Sequence, residues 1–217
     1  MEERVEIKTK NGVYVCKKDV DAVFVKFEKP INIEVATKNL LDLQKICEAH
    51  NLEFTLMYGT LLGAVREKGF IPHDHDTDVV MTRDKEEQVL DMLFDLREIG
   101  LEVGRYDETL ISFVRDGDFI DIYFLDKKGS KYHTEGYVIP AHYLDNIIEY
   151  PFLGKTFKVP KENEKLLAYL YGDDWRIPKE NVSPTNYGWY LKIRNGIKEK
   201  SETLFKVLSW VKGKLNG

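Results

Sequence analysis

Three aspartates alternate along a short stretch of the chain, at Asp74, Asp76 and Asp78. Side chains at alternate positions of a β-strand share one face, so a strand here would hold the three carboxylates side by side. Like charges at one place repel one another, and the apolar run at residues 79–81 predicts that the later part of the strand is buried. The pattern therefore predicts that a divalent cation binds between these carboxylates.

Calcium and zinc are two alternatives for this cation. A calcium loop of the EF-hand type needs a glycine and a glutamate at the positions of Val79 and Lys85, so this type of calcium site is excluded. A zinc site could use His73 and His75, but their rings would point away from the aspartate face of the strand. Such a site would also need a further ligand, such as His133 or His142, brought in by the fold.

Magnesium or manganese is the third alternative, because carboxylate oxygens suit these hard cations and the phosphate oxygens of a substrate can complete their shell. Such sites use a further carboxylate from a neighbouring strand. Asp121 is the candidate, since it is the single charge in the apolar segment at residues 119–124. A buried lone carboxylate is costly unless it binds a cation or a hydrogen-bond donor. The alternative is that Asp121 faces solvent on an edge strand.

Gly59 and Thr60 follow a predicted buried strand and precede a short predicted helix at residues 61–66. Glycine lets backbone amides approach a phosphate closely, a hydroxyl can donate a further hydrogen bond, and a helix N-terminus is positive. The Gly-Thr pair alone is weak evidence. Together with an Asp-x-Asp strand and an isolated aspartate on a later strand, it is typical of nucleotidyltransferase-fold active sites.

The elements that must position these residues follow from hydrophobic periodicity and turn signals. Helices are predicted from Thr37, as the N-cap, to about residue 50, from Asp84, as the N-cap, to about residue 98, and over residues 163–171. Strands are predicted at residues 22–27, 52–57, 76–81, 101–106, 110–115 and 119–125. Hairpin turns are predicted at Asn11-Gly12 and Asp116-Gly117.

The composition is that of a globular protein with one substantial domain. The 217 residues can bury a core without disulfides, and Cys16 and Cys47 are predicted to be buried hydrophobic residues. The formal net charge of −5 argues against binding nucleic acid through a basic surface. The apolar runs are too short to span a bilayer and residues 1–6 do not resemble a secretory signal, so we expect a cytoplasmic protein.

Taken together, these motifs resemble the LicD family, which includes bacterial phosphocholine transferases and the fukutin-related proteins. The resemblance extends from about residue 37 to about residue 178 and rests on residues 59–66, 69–72, the three alternating aspartates, 152–154, 159–160 and 170–175 with Pro178. This chain departs from the usual family residues at His73, His75 and Thr77. These changes leave the acidic positions intact and alter the expected lining of the pocket.

The resemblance implies an α+β fold, in which a nucleotidyltransferase-like mixed β-sheet is flanked by helices, with an N-terminal β-hairpin and a helical C-terminal part. It implies transfer of a phosphocholine-like or phospho-polyol group from a CDP-activated donor to a sugar or glycan hydroxyl, with release of CMP, in lipopolysaccharide or capsule biosynthesis. The implied cofactor is Mg²⁺ or Mn²⁺. By position, Asp76 and Asp78 match the metal-binding pair. Asp121 best matches the third carboxylate and is the candidate general base.

The resemblance also assigns substrate-binding residues. Gly59 and Thr60 match the turn that cradles phosphate. Arg66 matches a residue expected to touch the donor phosphate, and the alternative for its guanidinium is an ion pair with Glu67. Asp74 matches an acidic position of the family, where we expect it to support the metal ligands or to contact the acceptor. Some aromatic residues of the second half of the chain could line the nucleotide or sugar pocket, and most are expected in the core.

We expect an N-terminal β-hairpin extension over residues 1–36, a catalytic domain over residues 37–190 and a basic amphipathic helix over residues 191–217. That helix could lie on an anionic membrane surface, which would make the protein peripheral at the inner face of the membrane. The alternative is a terminal helix packed on its own domain.

Two other functions would use the same acidic residues. A nucleotidyltransferase would move NMP from an NTP to a small molecule and release pyrophosphate. A non-catalytic, nucleotide-binding relative would keep the fold without turnover, although retention of the three carboxylates weighs against it.

Overall fold

The computed structural model of the chain describes residues 4–17, 29–134 and 137–178, and a mixed β-sheet lies at its centre. The strands of this sheet are β3 (Thr55–Leu56), β4 (Asp76–Thr82), β5 (Glu102–Tyr106), β6 (Leu110–Arg115), β7 (Asp118–Lys128), β8 (Lys131–Thr134), β9 (Tyr137–Pro140), β10 (Ile147–Phe152) and β11 (Lys155–Pro160). Their order is β10-β11-β3-β4-β7-β6-β5, and β8 pairs with both β7 and β9.

Two pairs of strands in this sheet are parallel, β4 with β7 and β3 with β11. The chain between β4 and β7 returns to the same end of the sheet through two short helices and the strands β5 and β6. A long connection of this kind is what a parallel pair requires. As a result, the start of the acidic strand β4 lies beside the start of β7.

The helices are α1 (Ile33–Ala49), α2 (Tyr58–Leu62), α3 (Glu86–Asp91), α4 (Leu93–Glu98), α5 (Ala141–Leu144) and α6 (Asn163–Tyr171). The prediction for α6 is confirmed. In the described residues, no helix is both long and apolar enough to cross a membrane. Residues 22–27 and the predicted basic C-terminal helix lie outside the described part of the chain.

The predicted N-cap of α1 is wrong. The N-cap is Asn32, five residues earlier, and the Asn32 side chain accepts hydrogen bonds from the backbone N–H groups of Glu34 and Val35. Thr37 lies inside the helix, where its hydroxyl donates to the carbonyl of Ile33. Both residue types can cap a helix, so only the backbone geometry distinguishes them.

The predicted single helix from Asp84 to about residue 98 is also wrong. Asp84 lies in a 3₁₀ turn, Arg83–Lys85, and the helical segment is divided at Met92 into α3 and α4. Met92 and Leu93 are both fully buried at the break. A continuous surface helix has a single apolar stripe, which is too narrow to bury both of these adjacent side chains. The break at Met92 allows both to be buried.

The segment before the acidic strand differs from its prediction. The buried strand forms only at Thr55–Leu56, and α2 already begins at Tyr58 and continues as a π-helical turn, Gly63–Glu67. Tyr58 has a φ of 46°, a left-handed conformation that is costly for a residue with a side chain. The chain therefore turns sharply between β3 and α2, directly opposite the acidic strand.

Both predicted hairpins are confirmed. Strands β1 (Arg4–Thr9) and β2 (Gly12–Lys17) form a separate two-stranded sheet around Asn11-Gly12. Asp116 and Gly117 join β6 to β7 with φ values of 51° and 81°. Two consecutive positive φ values are those of the two-residue turn that matches the twist of antiparallel strands.

Candidate metal centre

Three carboxylates meet at the junction of β4 and β7. Asp78 and Asp121 are direct partners in the parallel register, and Asp76 lies two residues before Asp78 on the same face of β4. Each of the three offers an oxygen, and these oxygens all lie within 4.8 Å of one another. The structure thus brings together the three residues that the sequence analysis singled out as metal ligands.

Burial makes this cluster costly without a counter-charge. Asp121 is fully buried, Asp78 is 6% exposed and Asp76 is half-buried. Carboxylates so close together cannot all be ionised in a poorly solvated place unless a cation or protons offset their charge. The burial of Asp121 also excludes the alternative in which it faces solvent on an edge strand.

The donor set is suited to a hard divalent cation. Three carboxylates supply only oxygen ligands, which magnesium and manganese prefer, and opposite ligands of magnesium are about 4.2 Å apart. Within residues 4–17, 29–134 and 137–178, the group of side chains that could hold a metal contains no histidine. His75 instead contacts the carbonyl of Lys29 through its Nδ1. The residues present therefore fit magnesium or manganese better than zinc.

Asp74 is not on the acidic strand, which corrects the expectation that three alternating aspartates share one strand face. β4 begins at Asp76, and Asp74 lies in the preceding turn, where its carboxylate accepts the N–H of His75 and its carbonyl accepts the N–H of Ile31. Burial, followed by the charge of Asp76, raises the pKa of Asp74 to about 6. Asp74 is therefore a neighbour of the cluster and not one of its three members.

The Asp74 carboxylate lies directly against Gly59. A Cβ atom at position 59 would be 2.2 Å from Oδ2 of Asp74, which is far shorter than any real contact. The absence of a side chain at Gly59 thus makes room for an acidic side chain of this same protein. This contact was not predicted, because it joins a helix to a turn that is fifteen residues away.

Gly59 and Thr60 both hold Asp78. The backbone N–H of Gly59 donates to Oδ2 of Asp78 at 3.3 Å, and the hydroxyl of Thr60 accepts the backbone N–H of Asp78 at 2.8 Å. Thr60 is only 1% exposed. In the structure, Gly59 and Thr60 hold the Asp78 carboxylate in position. Contact of these two residues with a substrate phosphate stays a prediction.

Arg66 is already engaged within the chain. Its Nε donates to Glu67 at 2.6 Å, its Nη1 donates to the carbonyl of Trp175 at 3.0 Å, and its side chain is 10% exposed. The ion pair with Glu67 is therefore present. Arg66 also connects the segment at residues 59–66 to the segment at residues 170–175. Contact of Arg66 with a donor phosphate stays a prediction.

Tyr171 is a neighbour of the cluster that the sequence analysis did not identify. It is the last residue of α6, which packs against α2, and the chain turns away at Gly172 with a φ of 93°. Burial, together with the charges of Asp78 and Asp74, holds the pKa of the Tyr171 phenol well above its usual range. Tyr171 therefore stays neutral beside the carboxylates, and its only sequence signal was its place in the motif that ends at Trp175.

Three other tyrosines adjoin the cluster. Tyr58 packs edge-on against Tyr123 with ring centroids 5.2 Å apart, and it packs against Tyr137 at 4.9 Å. Tyr123 lies two residues after Asp121 on the same face of β7. This alternation was the one signal in the sequence that could have placed Tyr123 at the site.

Comparison with known proteins gives one family match and a few partial relatives. A sequence model described as the LicD/FKTN/FKRP nucleotidyltransferase domain matches residues 51–162, which is just over half of the chain and includes the whole carboxylate cluster. The description of this domain agrees with the predicted nucleotidyltransferase-like fold, and the observed mixed sheet flanked by helices confirms it.

The chain is similar over 57 residues, at 46% identity, to the lipopolysaccharide cholinephosphotransferase LicD of Haemophilus influenzae, which is 26% of this chain and 22% of that protein. It is 26% identical over 181 residues to an uncharacterized protein of Caenorhabditis elegans, which is 74% of this chain and 46% of that protein. The chain thus spans less than half of the length of these relatives.

Two solved structures of ANT(2'')-Ia are distantly similar to this chain. A crystal structure in complex with adenylyl-2''-tobramycin aligns with a TM-score of 0.45 at 12% identity, over 65% of this chain and 78% of that chain. A solution structure of the same antibiotic-resistance factor aligns with a TM-score of 0.48 at 14% identity, over 85% and 97% of the two chains.

Proposed function

Because the chain belongs to the LicD family, we propose that it is a metal-dependent transferase that moves a phospho-alcohol from a CDP-activated donor to a hydroxyl of a glycan and releases CMP. The name of the Haemophilus influenzae relative, a lipopolysaccharide cholinephosphotransferase, supports the choice of reaction and of acceptor class. That relative matches only a quarter of this chain, so the reaction of the whole protein is part of the proposal.

The observation that carries this proposal is the cluster of Asp76, Asp78 and Asp121, whose oxygens lie within 4.8 Å of one another. We propose that these three carboxylates hold Mg²⁺ or Mn²⁺. Such an ion, when bound, offsets negative charge on phosphate oxygens and on the departing nucleotide.

The residues of the chain take the following parts in this proposal. Asp76 and Asp78 hold the cation. The N–H of Gly59 donates to the Asp78 carboxylate and the hydroxyl of Thr60 accepts the N–H of Asp78, so both residues keep Asp78 in place. Asp121 completes this set of ligands and accepts the proton of the acceptor hydroxyl, because it is the partner of Asp78 in the strand register and a member of the same cluster. The hydroxyl oxygen then bonds to phosphorus, the bond from phosphorus to the CMP oxygen breaks, and CMP leaves with its electron pair.

Arg66 has a narrower part than the family resemblance implies. Its Nε and Nη1 are used by Glu67 and by the Trp175 carbonyl. We propose that its charge contributes to the attraction of the donor phosphate while its hydrogen bonds hold residues 170–175 in place. Arginine suits this double use because its planar guanidinium carries five donors.

The proposal also includes the domain limits and the place of action. The proposed catalytic domain covers residues 37–190 together with the first turn of α1, which begins at Ile33. The basic segment at residues 191–217 provides the proposed peripheral contact with the inner face of the membrane. The proposed partners are a nucleotide-activated donor and a glycan, and not a nucleic acid, because the net charge is −5.

The test is a panel of CDP-choline, CDP-glycerol, CDP-ribitol, CTP and ATP, each with Mn²⁺ and with an acceptor lipopolysaccharide or capsule glycan. We expect CMP release that depends on the metal and on a CDP-alcohol. Release of pyrophosphate from an NTP, with no CMP from any CDP-alcohol, would replace the proposal by nucleotidyl transfer. Tight nucleotide binding without turnover of any donor would replace it by a non-catalytic role.

A further inference from the structure

Residues 29–32, which we call the strap, lie against the turn that leads into β4. The backbone N–H of Ile31 donates to the carbonyl of Asp74 at 2.7 Å. Nδ1 of His75 donates to the carbonyl of Lys29 at 2.9 Å. The Ile31 side chain is buried in the core, so packing fixes the strap as well. The strap therefore holds the two residues that directly precede β4.

The strap is attached to β7 by the carboxylate of Asp118, the first residue of that strand. Oδ1 of Asp118 accepts the backbone N–H of Asn32, the last residue of the strap, at 2.7 Å. Asp118 is only 2% exposed, and its Oδ2 has no hydrogen-bond partner among the residues that the structure describes. Burial of such a charge is costly, and the positive N-terminus of α1 beside it offsets part of the cost. The strap thus connects the turn before β4 to the start of β7.

Asp118 is not a member of the carboxylate cluster. It lies three residues before Asp121 on β7, so the two side chains point to opposite faces of the strand. The face that carries Asp118 is the one at which α1 begins, because the carboxylate accepts from the N-cap residue of that helix. Any influence of Asp118 on a metal at the cluster is therefore indirect and passes through the backbone.

Asp76 is the member of the cluster that depends most on the strap. It is the first residue of β4 and pairs with Phe119 at the first position of the parallel ladder. The ends of paired elements open more easily than their middle. Asp76 is half-buried, whereas Asp78 is nearly buried and is held in addition by two hydrogen bonds with α2. Beyond the end of the ladder, the strap is the connection between the two strands.

We propose that Asp118 is a positioning residue of the metal centre, and that by holding the strap it keeps Asp76 beside the other two carboxylates. The inference rests on the proposed metal-dependent function. It gives a part in the metal centre to residues 29–32, which lie outside the segment matched by the family. Asp118 contacts neither the metal nor the substrate and takes no part in the bond changes.

The test separates the position of Asp76 from the general stability of the fold. Asp118→Ala removes the acceptor of the Asn32 N–H, and Asp118→Asn keeps an oxygen in its place. Asp42→Ala is the matched control, because Asp42 accepts from Arg115 and so joins the same helix, α1, to a different strand, β6.

Three measurements are made on each protein. Calorimetry gives the dissociation constant for Mn²⁺ alone, without a nucleotide. Urea denaturation gives the free energy of unfolding. Hydrogen exchange of the metal-free protein gives the exchange rate of the backbone amides at residues 74–76, so that one measurement reports on the turn without any metal.

We expect Asp118→Ala to weaken Mn²⁺ binding by about tenfold and to raise the exchange rate at residues 74–76 by about tenfold. Asp118→Asn should stay within about threefold of wild type in both. Asp42→Ala should lose stability but stay within about twofold of wild type in both. His75→Ala releases the strap from the turn and not from β7, so it should show part of the effect, and it decides the test if Asp118→Ala does not fold.

Three results would overturn the inference. Unchanged Mn²⁺ affinity in Asp118→Ala, with wild type binding the ion, would show that Asp76 does not depend on the strap and would leave the proposed function intact. Equal losses of Mn²⁺ affinity in Asp118→Ala and Asp42→Ala would make Asp118 a general support of α1. Absence of Mn²⁺ binding by wild type would remove the proposed metal-dependent function together with this inference.

Discussion

The hydroxyl of Thr60 accepts the backbone N–H of Asp78 at 2.8 Å, so a buried side chain of α2 fixes the main chain of a carboxylate on β4. The same helix reaches the Asp78 side chain through the N–H of Gly59. Two hydrogen bonds from one short segment thus help to hold Asp78, and that segment can be altered without any change to the three carboxylates.

Loss of this buried acceptor should reduce both stability and turnover. Thr60→Val keeps the shape of the side chain but removes the oxygen that accepts the N–H of Asp78, so we expect the free energy of unfolding to fall by about 1–3 kcal/mol. Thr60→Ser keeps the oxygen and should lose less than half of that. Urea denaturation and CMP release are the measurements. A valine variant as stable and as active as the serine variant would contradict this role for the hydroxyl.

Asp78→Asn should abolish turnover without unfolding the protein. An amide can still accept the N–H of Gly59, but it carries no charge for a cation, so we expect CMP release to fall by at least about a hundredfold. Stability should be unchanged or slightly higher, because one of several neighbouring like charges is gone. Asp84→Asn is the control, since the Asp84 side chain is 69% exposed. Normal turnover in the Asp78 variant would refute the metal assignment.

Gly59→Ala should destabilise the protein by displacing the carboxylate of Asp74. The new methyl group would lie 2.2 Å from Oδ2 of Asp74, and the carboxylate must move away. We expect a loss of about 1–3 kcal/mol in the free energy of unfolding. Gly69→Ala is the matched control, because a Cβ at that position meets no atom within 4 Å.

A double variant makes the cause of that loss specific. Gly59→Ala combined with Asp74→Ala should recover most of the stability that the single glycine substitution removes, because the clash needs both side chains. Urea denaturation of the two single variants and the double variant gives the coupling energy. Simple additivity of the two losses would mean that the glycine is needed for its backbone and not for the space beside Asp74.

Acid should destabilise the fold through Asp42. Burial raises the pKa of Asp42, but hydrogen bonds from Lys38 and Arg115 outweigh it and leave the pKa below its usual value. The unfolded chain therefore binds a proton at Asp42 at a higher pH than the folded chain does. The contribution of Asp42 is complete above the ordinary carboxyl pKa of about 4 and is lost as the pH falls through its folded value. Denaturation of wild type and Asp42→Asn between about pH 3 and pH 6 should show a shallower pH dependence in the variant.

The carboxylate cluster could be predicted from the sequence because each of its aspartates is identified by the residues next to it. Asp76 and Asp78 share a strand face by alternation alone, and Asp121 stands out as a lone charge in an apolar strand. Only the pairing of β4 with β7 had to be supplied by the fold. The same reasoning gave a wrong prediction for Asp74, which looks in the sequence like one more member of the alternating series. Asp74 lies instead in a turn, where Gly59 leaves space for its carboxylate.

The meeting of Tyr58, Tyr123, Tyr137 and Tyr171 around the carboxylate cluster could not be predicted from the sequence, for a related reason. These four tyrosines come from four elements spread over more than half of the chain, and each one alone is an ordinary aromatic residue in a partly apolar segment. Their meeting depends on β8 and β9 folding back beside β7 and on α6 packing against α2. Such a meeting is a property of topology, and no periodicity in the sequence encodes it.

The hydrogen bond between Arg66 and the carbonyl of Trp175 spans 109 residues, and it has a practical consequence for any shortened form of the protein. The segment that carries the family match ends at residue 162, before both Tyr171 and Trp175. A fragment cut to the matched segment would keep all three carboxylates. It would nevertheless lack α1, Tyr171 and the Trp175 carbonyl that accepts from Arg66. The edges of a fragment should therefore lie outside residues 33 and 178 if the fragment is to report on the intact site.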